Sequence, residues 1–125
     1  MIEEGAIFWI DNFPPLDGLI SARRPVVVID CADEDPVVVV GITTRMDDPD
    51  AIPLPDTVSE PGSSTGLAQR SFAVPRWIVQ VGRSHFRSEN HCGRLPSVTL
   101  SRLAAAVDAV LAQWPPPKLP PADLP

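Results

Sequence analysis

The 125-residue chain has no tyrosine, two cysteines and a single lysine among its ten basic residues. Two cysteines, Cys31 and Cys92, cannot build a disulfide framework and are too few to form a structural zinc site by themselves. Long apolar runs are missing too. The stretch Val37–Ile42 is among the longest, and nothing here is long enough to cross a bilayer, so a membrane partner is excluded. The opening Met1-Ile2-Glu3-Glu4 is acidic and lacks the basic-then-apolar order of a secretory signal, so a cytoplasmic, reducing location is expected. No P-loop, Gly-x-Ser-x-Gly elbow, His-Glu-x-x-His or paired Cys-x-x-Cys is present. What remains is 44% hydrophobic and 21% charged residues, an ordinary globular composition at the length of one domain.

The net charge of −6 is unevenly spread. Residues 1–69 carry thirteen acids against Arg23, Arg24 and Arg45, a balance of −10. Residues 70–94 carry Arg70, Arg76, Arg83, Arg87 and Arg94 against Glu89, a balance of +4, and the remainder is neutral. Arginine suits planar, bidentate contact with phosphate or carboxylate. Charge alone favours the plainer reading, arginines on solvated strands whose stems cover apolar surface.

The first two-thirds of the chain read as short strands. Ala6–Asp11 is β-branched and aromatic and stops at Asn12-Phe13-Pro14-Pro15. Pro25 opens Val26–Asp30, and the acidic turn at 31–36 leads into Val37–Thr44. Consecutive valines without alternation imply burial on both faces, as in the wall of a small barrel whose outside is covered. Residues 47–66 are rich in proline, glycine, serine and threonine and predict a long loop with one short edge strand near Ile52-Pro53-Leu54. Leu67–Val74 and Trp77–Val81 read as two further strands. After Pro96-Ser97, the spacing of Leu100, Leu103, Ala104, Val107, Val110 and Leu111 predicts one amphipathic helix, ended by Trp114-Pro115-Pro116-Pro117. The expected fold is mainly β with a C-terminal helix: a small barrel of five to six short antiparallel strands. It spans residues 1–113, with a proline-rich, disordered tail over 114–125.

Two segments gain meaning together. If the valine strands pair antiparallel through the 31–36 turn, Arg24 at the start of one and Thr43 at the end of the other meet at one rim. A guanidinium beside a hydroxyl can hold a phosphate and stabilise the charge that builds during phosphoryl transfer. Strand-end threonines favouring β structure and solvated arginines account for the same residues. His85, His91 and Cys92, with Cys31 brought near, are the candidates for a metal, although their spacing fits no common zinc pattern.

The series Gly5–Asp11, Arg24-Pro25-Val26-Val27-Val28-Ile29, Val40-Gly41-Ile42-Thr43-Thr44-Arg45, Thr65-Gly66-Leu67 and Gly93-Arg94-Leu95-Pro96 resembles the PemK/MazF toxins over residues 5 to 112. The resemblance implies an SH3-like barrel, a homodimer, a protein antitoxin as partner, and cleavage of single-stranded RNA with no metal or cofactor. Attack would come from the 2′-hydroxyl, leaving a cyclic phosphate and a free 5′-hydroxyl. Carried over by motif, Arg24 and Thr43 are the catalytic pair at the scissile phosphate. Arg23, Thr44, Arg45, Arg70 and Arg76 are expected to bind the substrate, the 70–94 arginines guiding the RNA backbone. Arginine holds its proton too tightly to be a good general acid, so charge stabilisation is its assignment. Two departures stand out. A polar Glu-Gln pair common in the family's first loop is Leu19-Ile20 here, and an Asp-Gln pair after the Gly-Val/Leu element is Ser71-Phe72. A second reading follows, a catalytically impaired binding module of the same fold, in which Leu19-Ile20 contacts a partner peptide.

Overall fold

The valine segments form the middle of the sheet. The computed structural model describes residues 2–16, 20–32, 35–45 and 48–119. Its strands are β1 (Ala6–Phe13), β2 (Ala22–Asp30), β3 (Val37–Thr43), β4 (Ile52–Leu54), β5 (Ser71–Val81) and β6 (His91–Arg94), followed by helix α1 (Ser97–Leu111). Spatial order is β4-β5-β3-β2-β1-β6, and every neighbouring pair is antiparallel. The sheet curls into the half-barrel of the expected mainly-β fold.

Both faces of the valine strands are covered, as the lack of alternation requires. Phe8, Ile10, Phe13, Val26, Val28, Val37, Val39 and Trp77 fill the concave core. Ile7, Val27, Val40, Ile42 and Ile78 form the other core, under Leu103 and Val107 of α1. The helix has Pro96 at its N-cap position, without a side-chain cap, and Ser97 in its first turn. Proline is harmless there because its missing N–H would lack an intrahelical partner anyway.

Two irregularities shape one end of the sheet. In β1 the register shifts between Ile10 and Phe13, where Asn12 takes a positive φ of 56°. Asparagine tolerates that left-handed conformation better than other side-chain-bearing residues. The shift returns Phe13 to the core. The segments 67–74 and 77–81, expected as two strands, are one strand, β5, beginning at Ser71. It pairs Ile78 with Val40 and Ala73 with Ile42, so Gly41 alone faces Val74–Trp77. Pro75 lies in this bulge, where its missing N–H costs no ladder bond. The break in periodicity came from the bulge and not from a turn.

Residues 48–66 are more ordered than their composition suggests. Asp56 accepts hydrogen bonds from the Val58 and Ser59 N–H groups, and the buried Thr65 hydroxyl donates to the Pro55 carbonyl. Ser64 exchanges hydrogen bonds with the backbone of Arg94 in β6. In the tail, Pro116 to Leu119 run beside β5: the Gln80 N–H donates to the Pro117 carbonyl at 2.7 Å, and the Leu119 N–H donates to Gln80 at 2.8 Å. Residues 120–125 lie outside the described residues.

Candidate active site

The β2–β3 register sets Val26 against Gly41. Two residues further along each strand, Arg24 and Thr43 reach the same rim, and both line one cleft of ≈ 340 Å³. Pro15, Leu16 and Ile20 from the β1–β2 connection, Arg45 and Asp48 beyond β3, and Val74, Arg76 and Trp77 of the β5 bulge complete it.

Trp77 is the floor of this cleft. It is buried, its Nε1–H donates to the Pro14 carbonyl at 3.0 Å, and its ring lies 5.5 Å from Phe13. Gly41 makes the placement possible, since a β-carbon there would collide with the indole. Arg24 lies over this ring, with Cζ 5.9 Å from the centroid, a cation–π distance. Its guanidinium makes no hydrogen bond or ion pair to any other described residue. The guanidinium is half-buried, and the Trp77 face is its contact in place of a counter-ion among the described residues. Thr43 Oγ1 accepts the Arg45 N–H at 3.1 Å, which fixes the hydroxyl and leaves its own proton to be donated.

The remaining expected residues divide. Arg45 and Arg76 line the same cleft, Arg76 held by Asp48 through Nε at 2.8 Å. Arg23 points to the opposite face of β2, bound to Asp11 at 2.8 Å and Asn90 at 3.0 Å and stacked 5.6 Å from the Trp9 ring. Thr44 is exposed and not among the lining residues. Arg70 borders a separate hollow of ≈ 300 Å³ with Pro53, Asp56, Glu60 and Thr99. The arginines clustered in sequence between 70 and 94 are scattered in space: Arg83 donates to the Cys31 carbonyl and Arg94 pairs with Glu3. Leu19 lies outside the described residues, whereas Ile20 is 77% exposed at the cleft.

The metal candidates do not converge. His91 stacks edge-on against Phe8 at 5.1 Å, and burial pushes the Cys92 thiol up, away from the thiolate a metal needs. Among the described residues no three His, Cys, Asp or Glu side chains gather.

Sequence reasoning missed Trp77, Asp48, Pro15 and Leu16. Trp77 left a trace, a lone glycine in a valine strand, which marks a close approach by another group. Asp48, one acid among thirteen in the first 69 residues, left none.

The half-barrel is backed by a terminal helix and carries at one rim a guanidinium with no hydrogen bond or ion pair among the described residues, beside an oriented hydroxyl. Over residues 3–111 the chain matches the family described as PemK-like, MazF-like toxin of type II toxin-antitoxin system, and it belongs to that family. Three solved structures share the fold. An endoribonuclease from mycobacterial species has a TM-score of 0.61 at 16% identity, covering 91% of this chain and 95% of that one. MazE-MazF (form II) from Deinococcus radiodurans has 0.61 at 16% identity, covering 90% and 97%. MazF (form I) from the same organism has 0.64 at 15% identity, covering 90% and 97%. No curated protein sequence matches the chain.

Proposed function

We propose that the chain is the toxin of a type II toxin-antitoxin system, a metal-independent endoribonuclease that cuts single-stranded RNA. One observation carries the reading: Arg24, unpaired among the described residues, shares a cleft with Thr43. In the reaction the 2′-oxygen attacks the adjacent phosphorus and the bond to the 5′-oxygen breaks. The products are a 2′,3′-cyclic phosphate and a 5′-hydroxyl. The proton lost by the 2′-hydroxyl balances the one gained by the departing oxygen, and solvent can carry both. Arg24 neutralises the phosphorane as its charge builds, and Thr43 donates a hydrogen bond to a non-bridging oxygen. Arg45 and Arg76 hold the flanking backbone, while Arg23, Thr44 and Arg70 act further out if the RNA wraps the molecule. A homodimer and a protein antitoxin complete the system.

The test is cleavage of a single-stranded RNA panel in EDTA, with product ends mapped, by wild type and Arg24→Ala. Cyclic-phosphate products from wild type and their loss in the variant are expected. Equal cleavage by both proteins sinks the assignment of Arg24.

A second reading is favoured by Ile20, an exposed apolar side chain at the cleft. There the cleft receives a partner peptide and no turnover occurs. Tight peptide binding with no RNA cleavage at any enzyme concentration selects it.

A further inference from the structure

The cleft contains one acid among its described lining residues, Asp48, and the bonding of that acid is specific. Oδ2 accepts from Arg76 Nε at 2.8 Å, and Oδ1 accepts the Asp50 N–H at 2.8 Å. The Asp48 side chain is only 8% exposed, whereas that of Arg76 is 50% exposed. Both carboxylate oxygens are thus engaged, and the group is turned toward its own loop and toward Arg76. Contact through Nε alone leaves Nη1 and Nη2 without a hydrogen bond to any described residue. Those are the two donors a guanidinium presents when it meets a phosphate end-on. Arg76 stands in the bulge of β5, opposite Gly41, where the backbone is displaced from the sheet. Free of Asp48, its side chain would have the full rotamer freedom of an exposed arginine, and binding would have to remove it.

We infer that Asp48 is a positioning residue for Arg76, fixing its guanidinium as a second phosphate-binding cation in the cleft that Arg24 lines. The inference rests on the RNA-cleaving reading of the cleft. Arg24 serves the phosphate that reacts, and the Asp48–Arg76 pair serves a neighbouring one, so it acts on substrate binding and not on the chemical step. Nothing in the chain's length or composition singles out Asp48; its assignment comes from which atom of Arg76 it engages.

The experiment uses the full chain and compares wild type, Arg76→Ala, Arg76→Lys, Asp48→Asn and the double variant Asp48→Asn/Arg76→Ala. Asn retains an oxygen for the Asp50 N–H, so the loop keeps its local bond while the charge facing Arg76 is lost. Arg76→Ala is expected to raise KM about fivefold to tenfold, the loss of one screened charged contact, with kcat within about twofold. It also lowers the slope of log affinity against log salt by about 0.7, one phosphate on a single strand. Asp48→Asn produces a KM rise in the same direction. Added to Arg76→Ala, it changes nothing further, because its effect passes through that guanidinium. Arg76→Lys recovers the salt slope and not the KM. Tighter RNA binding by Asp48→Asn overturns the inference, since the carboxylate would then compete with phosphate. An Asp48→Asn defect that persists unchanged in the Arg76→Ala background, or one confined to kcat, overturns it as well. If wild type cleaves no RNA, the nuclease reading fails separately. Fluorescence anisotropy with labelled single-stranded RNA then decides the inference on the same variants, and equal affinity across all of them overturns it.

Discussion

Consecutive arginines on β2 make the same contact on opposite faces of one sheet. Arg23 stacks on Trp9 at 5.6 Å, and Arg24 stacks on Trp77 at 5.9 Å. The two stacks differ in what surrounds them. Arg23 is exposed and satisfied by Asp11 and Asn90, and Trp9 is half-buried on the sheet's outer side. Arg24 is half-buried and has no anionic partner among the described residues, and its tryptophan is packed against Gly41 and Phe13. A cation–π pair is therefore not the mark of a site here. What sets Arg24 apart is its place inside a concavity without an anionic partner among the described residues, where the proposed substrate, with one negative charge per phosphate, would meet it.

The comparison breaks first at the tryptophans. Trp77→Ala removes a buried indole backed by a glycine, and about 3–5 kcal/mol of stability should go with it. Trp9→Ala, at a half-buried position, should cost about 1 kcal/mol. Denaturant titration of both variants measures this, and equal losses would mean that Trp77 is no more a structural floor than Trp9.

The arginines come next. Arg24→Ala should lower cleavage about 10²–10³-fold, the size of effect seen when one donor to a developing oxyanion is lost. Its unfolding midpoint should stay near wild type, because Arg24 holds no other described residue through a hydrogen bond. Arg23→Ala should do the reverse, leaving cleavage within about twofold. The exposed pair with Asp11 contributes at most about 1 kcal/mol after solvent screening. Thr43→Val should lower cleavage about tenfold by deleting the hydroxyl, with recovery in Thr43→Ser. Thr44→Val, outside the cleft, should leave unchanged the cleavage of an RNA too short to reach beyond the cleft.

How much of this was readable beforehand depends on range. The central strands β2 and β3 were legible because double burial writes itself as unbroken valine, and α1 because Leu103 and Val107 recur on one stripe, whereas β6, four residues of which none is fully buried, was not expected. Arg24 and Thr43 were legible as a pair because antiparallel pairing through one short turn fixes which strand ends meet. The β5 bulge was not. Pro75 in the middle of a strand looks like a break, and only its placement opposite Gly41 makes it an allowed interruption. Arg23 and Arg70 show the opposite limit. Alternation along β2 sends Arg23 away from its neighbour, and a sequence cluster of arginines carries no information about which face each one takes. Asp48 depends on a loop closing back onto β5, a contact between residues 28 apart, and no local pattern encodes it.

The smallest effect sharpens the structural side of the comparison. Cys92 lies beside Trp9, away from the cleft, and burial raises its thiol pKa, with a hydrogen bond involving the Trp9 side chain pulling the other way. Burial also raises that of Cys31, reinforced by the nearby Glu4 charge. In the folded chain these thiols stay protonated at a pH where an unfolded thiol, with a pKa of about 8.5, has begun to ionise. The unfolded state then binds fewer protons than the folded one, so stability must fall as pH rises. The contribution is fully present below about pH 8.5 and is lost as pH climbs through the raised folded-state values. Denaturant midpoints measured at pH 7 and pH 9.5 should therefore drop for wild type, and drop less for Cys92→Ala. Arg24→Ala should follow wild type across the same range, because the cleft it alters shares neither thiol. A larger pH-dependent loss in Arg24→Ala than in wild type would show that the two faces are energetically coupled, and the separation drawn between them would have to be abandoned.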